Sequence, residues 1–370
     1  MGRAEFETVL RADIPDLTGR QIWIFGAGNT AALYANGFAR LEKERFEIAG
    51  YTDNNQSKWG TECNGRKVVS PQSLSEKKDE ICVLICSIQS RVVKAVSKQL
   101  SGMGILNYPI DEVVLKQHAD QVLAVYDLFD DEESKQVYET LSYERIRVEG
   151  APLPVSANEQ YFALPPFSLS SPGEVFVDCG AYVGDSIERY LWTKDGVFQK
   201  IIAFEPDEHN VRAMKYRTER LVREWGLKED SIEIVQAGVA GRNQTGTLVR
   251  YDTNNGLGSK IVAGQESGTD EQPGKDAEGT KVVALDEFLT RPYSFLKADI
   301  EGWEYDMLLG AQEGLKEYRP LLAICIYHNV ADFYQIPLLL RDMLPDYHFA
   351  LRQHKHVLSD SVLYAWPKEQ

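Results

Sequence analysis

The run EVFVDCGAYVGDSIERY, which begins at Glu174, holds the densest set of residues able to do chemistry. Residues 175–177 read as a buried strand that ends in Asp178. Gly180 permits a sharp turn there, and Gly184 lets the next helix approach a bound ligand. Asp185 or Ser186 is placed to cap that helix. A second strand at 200–204 ends in Glu205 and Pro206, and adjacent parallel strands bring both acids to the carboxyl-edge crevice, where open α/β sheets hold ligands. A carboxylate would repel a pyrophosphate, so Asp178 argues against a dinucleotide and for a cationic ligand, such as the amino or sulfonium region of S-adenosylmethionine. Glu205, with two anionic acceptor oxygens, suits a ribose diol. A third strand at 232–236 leads into Ala237, Gly238, Val239 and Ala240, whose small side chains leave room for a flat adenine. Ala181 and Tyr182, inside the first turn, complete the candidate cofactor contacts.

The next landmark is FLKADIEGWEYDMLLGA. Strand alternation sends Lys297 and Asp299 to one face, Gly302 opens a turn, and residues 303–309 read as a helix with Glu304 in its first turn. This charged group is open to two readings, a structural salt-bridge knot or a site that orients a substrate hydroxyl or a cation. A fifth strand at 320–327 ends at His328, the side chain suited to general-base work near neutral pH. In a methyl-transfer reading His328 takes the proton, Asp299 orients substrate or base, and Lys297 stabilises developing charge or pairs with an acid. A divalent ion on Asp299, Glu301 or Glu304 is the rival arrangement, and no metal is assigned.

These residues need a sheet to hold them. Residues 332–343 read as a helix, and 347–352 with 361–365 as an antiparallel pair. Further strands fall at 247–251 and 281–285. The polar, glycine-rich stretch 252–280 between them reads as an excursion near the cofactor edge, either a disordered surface insertion or a substrate lid, the half nearest Asn254 and Asn255 being the candidate for function. Five forward strands and an antiparallel terminal pair in 173–370 suit a Rossmann-like class I methyltransferase domain. The sequence resembles the FkbM family of adenosylmethionine-dependent methyltransferases over 161–366, in VFVDCGAYVGDS, AFEPDEHN, VVALDEFL leading to FLKADIEGWEYDMLLGA, and CIYHN with SVLYAWP. The resemblance implies that Asp178, Gly180 and Gly184 form the first cofactor motif and that Glu205 is the ribose-binding acid. It makes Asp299, Glu301, Gly302 and Glu304 the family's acidic segment, with His328 as its strand-end histidine. Cys325 stands where many relatives look acidic. O-methylation of a saccharide, glycolipid or polyketide hydroxyl is the implied activity.

The amino-terminal half reads as a smaller Rossmann-like α/β domain, 1–117. A strand at 22–25 leads to the turn Gly26-Ala27-Gly28 and a helix at 30–40, and Asp53 follows the next strand, 48–51, about where a dinucleotide fold carries its ribose acid. The third fingerprint glycine is absent. The domain either binds a nucleotide or sugar nucleotide or keeps the turn because the fold needs it. Strands at 81–86 and 104–107 flank a helix at 91–100. Residues 118–172 read as a helical connector followed by a proline-rich linker, with Asp130 to Glu133 starting a helix and Tyr161, Phe162 and Phe167 anchored on the second domain.

Composition narrows the partners. The 370 residues carry a formal charge of -16, which argues against nucleic acid or an anionic membrane and leaves a small-molecule or glycan acceptor. No run approaches a membrane span and the first residues mix charges, so a soluble, cytoplasmic protein is expected. The five cysteines are odd in number and widely spaced, which suits packing better than disulfides or zinc. A non-catalytic sugar-nucleotide or partner-binding protein is the alternative class, and a dehydrogenase stands third.

Overall fold

Short runs of β-branched and aromatic residues form the strands of the computed structural model. It describes all residues except 1, 29, 30, 32, 33, 45, 46, 251–258, 264–278, 369 and 370. The chain divides into two compact units. One gathers Met1–Val155, Tyr327–Leu338 and Lys355–Ser359; the other gathers Ser156–Ile326, Leu339–His354 and Asp360–Gln370.

In the amino-terminal unit β1 (Gln21–Phe25), β2 (Ile48–Thr52), β3 (Glu62–Cys63), β4 (Arg66–Val69), β5 (Ile81–Ile85) and β6 (Asn107–Pro109) make one sheet in the order β3-β4-β2-β1-β5-β6. All pairs are parallel except β3 with β4. Every residue of β5 is buried, as a parallel strand covered on both faces requires. The strand expected at 104–107 lies later, because the helix Ser90–Gly102 ends through Met103 and Gly104, the latter at φ +70°, and this turn uses up the preceding residues. Within the stretch expected as a helix at 30–40, the structure shows a helix Ala35–Glu44, and residues 30, 32 and 33 lie outside the described residues. Asp131 caps the helix Glu132–Arg147 by accepting from the Ser134 amide at 2.7 Å, which accounts for the acidic run at its start.

The carboxy-terminal unit is built on β7 (Val175–Cys179), β8 (Lys200–Phe204), β9 (Ile232–Val235), β10 (Gly238–Val239), β11 (Gln244–Arg250), β12 (Ser259–Ala263), β13 (Thr280–Val283), β14 (Phe295–Ala298), β15 (Leu321–Cys325), β16 (Tyr347–Gln353) and β17 (Ser361–Pro367). Its main sheet runs β16-β17-β15-β14-β7-β8-β9. β17 is antiparallel to both neighbours and the other pairs are parallel. The chain order reverses at β7, between β8 and β14, and such a switch point opens a crevice at the carboxyl edge. A smaller sheet, β10-β13-β11-β12, contains two strands not expected from sequence, the short β10 and β12. β12 falls within the glycine-rich excursion and pairs antiparallel with β11 from Gly246↔Ala263 to Arg250↔Ser259. Asn254 and Asn255 lie outside the described residues.

The proline-rich segment is pinned by its aromatics. Phe162 and Phe167 set their edges against Phe295 of β14 at 5.9 and 5.5 Å, and Phe176 stacks on Tyr190 beside them at 4.5 Å. All five cysteines are free. Among the described residues no helix is long and apolar enough to cross a membrane.

Candidate active site

The end of β7 is held from beneath by a buried ion pair. Asp178 is fully buried, and its Oδ1 lies 2.8 Å from Lys297 Nζ on the neighbouring strand β14. Lys297 also donates to the carbonyls of Gly180 at 2.7 Å and Cys179 at 3.3 Å, so one ammonium gathers the whole turn. Burial disfavours this cation, but Asp178 and Asp299 outweigh it and hold Lys297 above its ordinary range. Of the two roles open to Lys297, the geometry gives pairing with an acid.

Two expectations are corrected here. Asp178 presents no surface to a ligand, because Lys297 and the Ser186 hydroxyl occupy its oxygens. Neither Asp185 nor Ser186 caps the helix. It starts at Asp185 with Gly184 as its N-cap at φ +79°, which leaves Asp185 inside the first turn and spends the Ser186 hydroxyl on Asp178. Gly180, also at φ +79°, lies so close to β14 that an added Cβ would stand 1.9 Å from the Asp299 carbonyl oxygen. Only glycine fits both the backbone angle and this approach.

Above the turn lies a cleft. Gly180, Glu205, Pro206 and Gly238 line it together with Ala237 and Val239, so the ends of β7 and β8 and the small-residue passage after β9 come together there. Asp299 and Glu301 also line it, with Ile300 and Trp303. Ala181, Tyr182, Gly184, Asp185 and Ser186 are not among its lining residues. Tyr182 takes part through its backbone, whose amide donates to Glu205 Oε2 at 3.0 Å. Glu205 Oε1 accepts from the Asp207 amide at 2.9 Å and from Asn210 Nδ2 at 3.2 Å. Burial pushes the Glu205 carboxyl up to about 7, these donors offsetting only part of the desolvation.

The turn after β14 is tight. Glu301 at φ +56° and Gly302 at φ +90° reverse the chain, and the fully buried Glu304 accepts from the Ile300 amide at 2.7 Å. Glu304 therefore braces the turn, while Asp299 Oδ2 accepts from the Tyr161 hydroxyl at 2.7 Å. His328 is buried in the segment Tyr327–Leu338 of the amino-terminal unit, its ring 4.0 Å from that of Tyr327. Sequence reasoning missed Phe204, Ile300 and Trp303 as cleft residues, although each adjoins a recognised motif. It treated Tyr161 as a packing anchor only. The available signal was an aromatic with a polar tip inside a proline-rich passage.

In the amino-terminal unit Asp53 is tied to its own chain. Its Oδ2 accepts from the Ala27 amide at 2.9 Å and from Lys58 Nζ at 3.0 Å, and its Oδ1 from the Asn55 amide at 2.8 Å.

Residues 178–358 match the family model described as Methyltransferase FkbM domain, and residues 18–111 match that described as C2185-like, N-terminal. Methyltransferase FkbM from Methylobacillus flagellatus KT is similar in structure with a TM-score of 0.56 at 18% identity, over 98% of each chain. An rRNA methylase from Streptococcus thermophilus is similar over 54% of this chain and 90% of its own, at 16% identity and a TM-score of 0.32. The N-terminal domain of human METTL16, solved in complex with SAH, is similar over 54% of this chain and 64% of its own, at 13% identity and a TM-score of 0.31. No curated protein matches the sequence. The carboxy-terminal segment thus has a class I methyltransferase fold, is similar over residues 178–358 to the FkbM methyltransferases, and is preceded at 18–111 by a stretch similar to the C2185-like N-terminal domain.

Proposed function

We propose that the carboxy-terminal unit binds S-adenosylmethionine in the cleft over Gly180 and transfers its methyl group to a hydroxyl of a saccharide, glycolipid or polyketide-like acceptor. The observation that carries the donor assignment is Glu205, a buried acid on the cleft wall at the end of the strand next to β7. Its three protein donors leave about one of a carboxylate's four acceptor positions for a ribose hydroxyl, and the Asn210 contact, the longest, is the one a second hydroxyl would replace. Ala237, Gly238 and Val239 offer the backbone and small apolar surface an adenine needs. The free cysteines suit a cytoplasmic setting.

The transfer is a single displacement, in which the acceptor oxygen attacks the sulfonium methyl from behind as its proton leaves. His328 is our candidate for receiving that proton, on the support of its place three residues past β15 and its chemistry near neutral pH. In titration calorimetry the full chain should bind S-adenosylhomocysteine at one site, with Glu205→Ala weakening it by about tenfold or more, the scale of a hydrogen bond to a charged acceptor. Failure to bind at millimolar ligand would refute the donor assignment. Transfer of a labelled methyl group to a panel of free saccharides tests the acceptor class.

A further inference from the structure

Tyr161 lies in the proline-rich segment, outside every motif that carries the methyltransferase resemblance. Its backbone is left-handed at φ +71°, a conformation a bulky side chain adopts only when its surroundings impose it. The ring and the hydroxyl have separate partners. Lys297 Nζ stands 5.1 Å from the ring centroid, so the cation that pairs with Asp178 also rests on an aromatic face. The hydroxyl is oriented by elimination. Gln160 Nε2 donates to the phenol oxygen at 3.0 Å and to Asp360 Oδ1 at 3.1 Å, which leaves the single phenol proton for Asp299 Oδ2 at 2.7 Å.

Asp299, which lines the cleft, accepts that proton, and a hydrogen bond donated to a carboxylate favours its charged form. Asp178 cannot present its charge there, being fully buried against Lys297. We infer that Tyr161 is a positioning residue of the cofactor site, fixing Asp299 as the carboxylate that meets the positive charge of the methyl donor. This rests on the donor assignment above.

The test uses calorimetry on the full chain with two probes, S-adenosylmethionine, which carries the sulfonium charge, and S-adenosylhomocysteine, which does not. Tyr161→Phe keeps the ring over Lys297 and deletes only the hydroxyl. It should weaken S-adenosylmethionine by about five- to tenfold and S-adenosylhomocysteine by less, because loosening a carboxylate costs the more cationic ligand more. Asp299→Asn, close in shape, should narrow the preference in the same direction, and adding Tyr161→Phe to it should change binding by no more than about twofold, as residues acting through one another are not additive. A purely structural tyrosine would weaken both probes equally, and its effect would persist in the Asp299→Asn background. Either result overturns the inference, as does Tyr161→Phe binding both probes like the natural chain. If the natural chain binds neither probe, the donor assignment fails and takes this inference with it.

Discussion

Glu205 sits at a pH-sensitive point because burial, not a neighbouring charge, dominates its ionisation. Its carboxyl titrates at about 7 in the folded chain against an ordinary 4.5. The native state therefore holds the proton more tightly than the unfolded state between those values, and this group's contribution to stability is full below the lower one and lost as pH rises through the upper. A ribose diol donates hydrogen bonds and so prefers the ionised form. Affinity for S-adenosylhomocysteine should climb with pH up to about 7 and then level, with a loss of up to about 30-fold at pH 5.5 if only the carboxylate binds. Glu205→Gln should bind weakly and without this limb. Calorimetry across that range checks both, and an affinity for the natural chain that is flat from pH 5.5 to 8 would remove Glu205 from the ribose contact.

Among the elements, β7 and β14 pair side by side, and Gly180, just past the end of β7, runs close against the Asp299 carbonyl just past β14. An alanine there meets the Asp299 carbonyl and an unfavourable φ at once, so Gly180→Ala should cost about 1–3 kcal/mol or more in denaturant unfolding. It should also weaken S-adenosylhomocysteine binding, because Gly180 itself lines the cleft and its own backbone would have to shift. Unchanged stability with unchanged binding would show that the approach is looser than described. These strands were legible in sequence because each is a short apolar run ending at a glycine turn, and the loss of alternation marks the turn within a residue or two. The pairing of Lys297 with Asp178 was open rather than legible, since the two lie 119 positions apart and only strand order makes them neighbours. The same holds for Ser186, whose hydroxyl looked like a cap until a buried acid within reach claimed it, and for Tyr161, whose role depends on a left-handed residue with no sequence marker. β12 escaped notice because composition around it is polar, and five residues carry little weight against that.

At the scale of the whole molecule, the amino-terminal unit is not a continuous piece of chain. Residues 327–338 and 355–359 return to it from far along the sequence, and they fill specific places. Phe333 stacks on Tyr138 at 4.3 Å, and the Arg145 guanidinium lies 5.2 Å from the same ring while donating to the Tyr327 carbonyl at 3.4 Å. Asp332 pairs with Arg40, and the Leu153 amide donates to the His356 carbonyl at 2.9 Å. Local periodicity cannot reveal such returning segments, because each reads as part of the element it continues. A fragment of residues 1–155 keeps the six-stranded sheet but uncovers Tyr138 and the Arg145–Asp111 pair, an ion pair at 2.6 Å in which Arg145 is 1% exposed. Water entering there would leave a large apolar face open without removing the entropy cost of ordering the helix Glu132–Arg147. That fragment should therefore lack a cooperative melting transition, and in the intact chain Phe333→Ala should cost about 3–5 kcal/mol, as truncating a buried phenylalanine usually does. Hydrogen exchange should place the loss in residues 119–147. A fragment that melts as sharply as the full chain would mean that the sheet and its own helices suffice, and that the returning segments only rest upon a unit already formed.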